Sequence, residues 1–296
     1  MKKKLLITLL VMLLILSGCS NVNRPGKQAK GSESKKIVQS GLNNEDKDSK
    51  ETVDKKSSPD ETAPSQKNMS EKPIGWGMVR DSEHKTPEIP KETKELIDKY
   101  GAIFTGDESS KVIYFTFDEG YENGYTPVIL DTLKKKNVKA AFFVTGSYIK
   151  QHPDYVKRMV REGHIVGNHT MTHPSLPTIT DEKIKLELEG VDELMMKETG
   201  KKTKYLRPPK GDYTKRTLKS TKEMGYTTVF WSLAFRDWQP LPGGSTESYD
   251  TVMANIHPGA VVLLHAESKD DTEALPKMID AIRAQGYEFK SLDSIR

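Results

Sequence analysis

After Lys111 the chain alternates short, wholly apolar runs with amphipathic stretches. Val112-Ile113-Tyr114-Phe115, Ala140-Ala141-Phe142-Phe143-Val144, Thr227-Thr228-Val229-Phe230-Trp231 and Ala260-Val261-Val262-Leu263-Leu264 are rich in β-branched or aromatic residues and bounded by polar ones. Unbroken apolar runs of this length suit parallel strands buried on both faces. Between them the apolar positions recur at helical spacing. Thr126 can cap a helix with Pro127 in its first turn, followed by Val128, Leu130 and Leu133. Tyr155, Val156, Met159 and Val160 mark a second helix closed by Gly163, and Ile184, Leu188, Val191, Leu194 and Met195 a third ending at Gly200. Leu218 to Gly225 and Leu275 to Gly286 complete the series. Strand–helix alternation on this scale predicts one α/β domain over 111–296, built as a (β/α) barrel.

Upstream the pattern changes twice. Residues 73–110, with Trp76 and a short helix around Lys91 to Tyr100, read as an extension of that domain. Residues 20 to about 72 are dominated by Lys, Asp, Glu, Ser, Asn and Gln and are nearly free of aromatics, so they bury too little apolar surface to offset their ordering entropy. A disordered tether is expected, with a typical span of about 40 Å. Lys2, Lys3 and Lys4 followed by the apolar run Leu5 to Leu16 form an exported leader over 1–18, too short to remain as a spanning helix. Leu16-Ser17-Gly18-Cys19 resembles the bacterial lipobox. The resemblance implies cleavage before Cys19, lipidation of its thiol and anchoring on the extracytoplasmic face of the membrane, with a second acyl chain making the attachment firm.

Cys19 is the single cysteine, so no disulfide can form within the chain. The formal charge of +4 includes the three leader lysines and falls to +1 without them. That balance argues against a nucleic-acid partner.

Polar residues gather just after several apolar runs, where barrel active sites collect. Asp118-Glu119-Gly120 follows the first strong strand, Asn168-His169-Thr170-Met171-Thr172-His173 gives an H-x3-H spacing, and Arg207-Pro208-Pro209-Lys210-Gly211 sets an arginine on a rigid turn. Asp237-Trp238 follows the third run and Leu264-His265 closes the last. On a helix or tight loop, H-x3-H turns two imidazoles the same way, as a two-histidine metal site requires. His84, His152, His164 and His257 have no such neighbours and read as structural.

Together these five elements resemble the polysaccharide deacetylase family, the NodB-homology domain of carbohydrate esterase family 4, over essentially all of 111–296. The resemblance implies a distorted (β/α) barrel and metal-dependent amide hydrolysis. It assigns His169 and His173 as ligands of a divalent metal, expected to be zinc, with Glu119 as a third, oxygen ligand. Asp118 becomes the general base and Arg207 its partner. His265 becomes the general acid, tuned by Asp237. Trp238 would wall the acetyl pocket, and the Lys210 backbone N–H would help hold the oxyanion. Glu119 departs from the family's usual aspartate, and its extra methylene alters the reach of a contact that metals hold to about ±0.2 Å.

The longer runs Thr116 to Pro127, Phe230 to Trp238 and His84-Lys85-Thr86-Pro87 are similar to the delta-lactam-biosynthetic de-N-acetylases. That similarity implies peptidoglycan strands as partner, peptide-free N-acetylmuramic acid of spore cortex as substrate, and a monomer. N-acetylglucosamine of wall or chitin-type glycans is the competing substrate, and a wall-binding protein with a weak site the competing class. A glycosidase using Asp118 and Glu119 fits poorly, because adjacent strand residues point to opposite faces.

Overall fold

The computed structural model describes residues 71–295 except Ser82. The leader, Cys19 and nearly all of the tether expected over 19–72 lie outside the described residues. In chain order the elements are β1 (Ile74–Gly75), α1 (Lys91–Tyr100), β2 (Val112–Glu119), α2 (Thr126–Lys135), β3 (Ala141–Val144), α3 (Gly146–Gln151), α4 (Pro153–Arg161), β4 (Ile165–Asn168), α5 (Asp181–Thr199), β5 (Tyr205–Leu206), β6 (Asp212–Tyr213), α6 (Lys215–Glu223), β7 (Thr227–Thr228), α7 (Gly244–Asn255), β8 (Val261–His265), α8 (Lys269–Ala284) and β9 (Glu288–Phe289). Among these no helix is long and apolar enough to cross a membrane.

Seven of the strands form one parallel sheet in the order β7-β5-β4-β3-β2-β8, with β9 also pairing β2. The sheet curls until irregular backbone beyond β7 meets β8. Ser232 N–H donates to the Val261 carbonyl at 3.0 Å and Leu263 N–H to that of Leu233 at 2.9 Å. The result is the expected distorted barrel, with β7 and β5 only two residues each.

β2 is the axis of the domain, and all eight of its residues are buried. Alternation sorts them into two layers. Ile113, Phe115 and Phe117 pack outward with Ile129, Leu133, Leu275 and Ile279 of α2 and α8, in the main core. Val112 and Tyr114 face inward, with Phe143, Tyr205 and Val261. At about 25 cal/mol per Å², such two-sided burial is the main source of the domain's stability.

The helices start and stop where their ends demand. Pro127 opens α2 without needing an N–H donor, Thr180 caps α5 through Lys183 N–H, and Gly200 closes it at φ 71°. Two helices escape the periodicity reading: α3 has six residues and α7 carries little amphipathic pattern. The N-terminal extension is fastened by aromatic contacts. The Trp76 indole stacks on Phe230 at 4.3 Å between ring centres and donates to the Trp231 carbonyl at 3.0 Å, while β1 pairs antiparallel with β6.

Candidate active site

The inward face of β2 ends in Asp118, which lies in register with Phe143 of β3 and His265 of β8. Parallel pairing therefore brings a carboxyl and an imidazole to adjacent strand ends. Arg207 enters just after β5, fully buried, with Pro208 and Pro209 stiffening the turn behind it. Its Nη1 donates to Asp118 Oδ1 at 2.9 Å, its Nε to the Val229 carbonyl at 3.3 Å and its Nη2 to the Phe230 carbonyl at 3.2 Å. The guanidinium also lies over the Phe143 ring at 4.2 Å. A buried cation so completely engaged is a fixed charge. Burial alone would raise the Asp118 carboxyl, but Arg207, His169 and His265 together hold it below the ordinary carboxylate range. Asp118 is ionised.

The two histidines come from the loop after β4, which is a tight turn rather than a helix. Thr170 at φ 69° and His173 at φ 61° both occupy the left-handed region, costly for residues with a Cβ. Hydrogen bonds hold that backbone: Thr170 N–H to Asn168 Oδ1 at 2.8 Å, His173 N–H to Thr170 Oγ1 at 3.0 Å and Asn168 Nδ2 to the Leu188 carbonyl at 3.0 Å. The turn sets the two imidazole centres 4.8 Å apart. Burial lowers the basicity of both rings, and for His173 the neighbouring His169 adds to it, taking it to about 4. Both are neutral near pH 7, as metal ligands must be.

His265 is held differently. Its Nδ1 meets Asp237 Oδ1 at 2.8 Å, and its backbone N–H donates to the other oxygen at 2.6 Å. Burial opposes its charged form, but the hydrogen bond and charge of Asp237 outweigh that and raise it above the usual histidine value. Trp238 stands edge-on to this ring at 5.2 Å. Asp237 is itself backed by Asp271, whose carboxyl burial and the Asp237 charge push well up, so that it is protonated.

Glu119 goes the other way. It points into the outer layer, where both carboxylate oxygens lie 3.4 Å from Thr126 Oγ1 of α2 and it is completely buried. Burial, then the charge of Glu122, raises its carboxyl well above the ordinary range. The expected third ligand is thus not brought to the histidines, because consecutive strand residues alternate in face. Among the described residues no group of three His, Cys, Asp or Glu side chains is arranged to hold a metal.

The remaining donors nevertheless suit a cation. The Arg207 carbonyl accepts from His169 Nδ1 at 2.8 Å, which leaves a lone pair on Nε2. That lone pair lies 3.5 Å from Asp118 Oδ2. Two acceptors face one another across a gap that a positive ion would resolve. His169 and His173, with Asp118 beside them, fit a nitrogen-preferring divalent metal with open positions.

Asp118, His169, His173, Lys210, Trp238 and His265 line one cleft of about 1160 Å³, while Arg207 and Asp237 support it from behind. Residues given no role in the sequence also line it: Tyr121, Glu122 and Trp231, which fall within the runs 116–127 and 230–238, Glu267, and His152, expected to be structural. His84, His164 and His257 sit elsewhere: His84 Nδ1 bonds the Ile256 carbonyl at 2.7 Å and His257 Nε2 bonds Ser232 Oγ at 3.0 Å.

Comparison with known proteins agrees with this geometry. Residues 105–229 match the family described as "Polysaccharide deacetylase". The chain is 48% identical over 225 residues to the peptidoglycan-N-acetylmuramic acid deacetylase PdaA of Bacillus subtilis, covering 75% of this chain and 86% of that one. The solved structure of Bacillus subtilis PdaA, a family 4 carbohydrate esterase, superposes with a TM-score of 0.73 over 75% of this chain and 96% of that one. A peptidoglycan-N-acetylglucosamine deacetylase of Bacillus cereus is 32% identical over 203 residues, covering 67% and 73%.

Proposed function

We propose that this chain, which belongs to the polysaccharide deacetylase family and is a carbohydrate de-N-acetylase, removes the acetyl group from N-acetylmuramic acid of peptidoglycan. One observation carries the reaction: an ionised carboxylate and a raised, hydrogen-bonded imidazole on adjacent strand ends, flanked by two neutral histidines. The sugar is supported by the 48% identity to a muramic acid deacetylase against 32% to a glucosamine one.

His169 and His173 would hold a divalent metal, zinc by the character of the donors, with Asp118 alongside; bound there, it supplies Lewis acidity and a water of lowered pKa. The chain's own residues do the rest. Asp118, anchored through Oδ1 by Arg207, presents Oδ2 to take a proton from the attacking water. His265, its Nδ1 tied to Asp237, presents Nε2 to give a proton to the departing nitrogen as the C–N bond breaks. Acetate and a free amine result. A positioned base and acid each contribute about 10²–10⁴-fold. The Lys210 backbone N–H would serve the oxyanion, and Trp238, beside His265, would wall the acetyl methyl.

The freed amine lies beside the lactyl carboxylate of the same sugar, the pair needed to close a muramic lactam, which is consistent with a role in spore cortex. Lipidation at Cys19 would keep the enzyme on the outer face of the membrane, with the segment to residue 72 giving it reach. Acetate release from peptide-free muramyl glycan and from chitooligosaccharides, each with and without chelator, tests this. Chelator-sensitive release from the muramyl glycan is expected. Release from chitooligosaccharides alone would move the substrate to N-acetylglucosamine, and wall binding without any release would leave a binding protein.

A further inference from the structure

The cleft holds a cation that the chemistry above leaves unused. Lys210 follows Arg207 by three residues, on a turn whose backbone at Lys210 is left-handed, φ 61° and ψ 2°. Behind it Gly211, at φ 69°, packs so closely on Trp76 and Trp231 that no Cβ fits. The turn is therefore rigid, and its side chain starts from a fixed point. That side chain is exposed, lines the cleft beside His173 and makes no ion pair or side-chain hydrogen bond among the described residues. Its charge is felt at the His173 ring, which it helps to depress.

The cleft's carboxylates do not match it: Asp118 is paired with the buried Arg207, and among the described residues neither Glu122 nor Glu267 makes an ion pair with Lys210. Glu119 is in the outer layer and neutral. An ammonium without a counter-ion in the same cleft as the two imidazoles calls for an anion on the substrate.

Resting on the muramic acid reading, we infer that the Lys210 side chain binds the lactyl carboxylate of the sugar and so selects residues whose peptide has been removed. The acetamide is on C2 and the lactyl ether on C3, so that carboxylate must lie within a few ångströms of the imidazoles. When peptide is attached, the same carbon is an uncharged amide, and the ion pair cannot form. Lys210 then discriminates through charge, in addition to any steric exclusion of the peptide.

The holoenzyme, its K210M, K210R and R236A variants, and three probes decide it: a peptide-free muramyl oligomer, the same oligomer with its lactyl carboxylates methyl-esterified, and a chitooligosaccharide. The ratio of kcat/KM between free acid and ester should be about tenfold in the wild type. K210M should bring that ratio close to one, and K210R should retain most of it. R236A, which alters the other exposed cation of the cleft, should keep it. A ratio that survives K210M, or one erased by R236A, overturns the role of Lys210 while muramyl turnover itself stands. Turnover of the chitooligosaccharide with none of either muramyl probe overturns the sugar assignment, and this role with it.

Discussion

Asp118 and Glu119 are neighbours on one strand, both buried, and they meet opposite fates. On the inner face Asp118 finds Arg207 at 2.9 Å and stays ionised. On the outer face Glu119 finds only a hydroxyl at 3.4 Å and another carboxylate, and takes up a proton. Burial disfavours charge in both; the partner decides which carboxyl keeps it. The chemistry of this domain belongs to one face of β2, and the other face belongs to packing.

Substitutions on the two faces should therefore differ in kind. The largest effect is expected from Asp118→Asn, which removes the proposed base and leaves the Arg207 charge buried without its counter-ion. Turnover should fall by about 10²–10⁴-fold, and thermal or denaturant unfolding should show a loss of about 3–5 kcal/mol. Unchanged stability would mean that the Asp118 charge is not what compensates the buried arginine.

His265→Ala should cost turnover on a similar scale while metal content, read by elemental analysis, is kept. His169→Ala should lose both. Retention of full metal by the second variant would remove His169 from the ligand set.

Asp237→Asn should act on the pH profile more than on the maximum rate. With Asp118 ionised and His169 and His173 neutral near pH 7, the alkaline limb belongs to His265, raised above 6.5 by Asp237. Removing that charge lets burial dominate, so the alkaline limb of kcat/KM should move to lower pH. A limb that stays in place would assign it to another group.

Glu119→Gln should be nearly silent in catalysis, within about twofold in kcat/KM, because the amide copies a protonated acid. Its stability should change in a defined sense. A carboxyl whose folded pKa is raised loses stability as pH climbs from its unfolded value near 4.5 towards the folded one. Glu119→Gln should flatten that loss and melt higher at neutral pH. Loss of bound metal would instead bring Glu119 back to the histidines.

The fold was legible where burial was two-sided. The runs at 112–115, 140–144 and 260–264 announce central strands because nothing polar interrupts them. Ile165-Val166-Gly167-Asn168 escaped notice, being short and broken by glycine, and Tyr205–Leu206 is too brief to leave a pattern. The site residues could be read as motifs, yet their grouping depends on register: only parallel pairing of β2 with β8 sets Asp118 beside His265. Glu119 shows the converse. The alternation that argues against a converging carboxylate pair also turns this side chain away from the imidazoles, whatever its place in a motif. Asp271 behind Asp237 had no local signal, since it matters through a contact made across the fold, and the motif holding Lys210 pointed to its backbone N–H rather than to the side chain near His173.

The proposed chemistry requires the reacting centre to lie on the inner face of β2. Anomalous diffraction at the zinc edge, from crystals grown with zinc, tests it most directly. The prediction is one peak bonded to His169 and His173 with Asp118 beside it and Glu119 still against Thr126. A peak bonded to Glu119, or zinc bound only away from the two imidazoles, would contradict it.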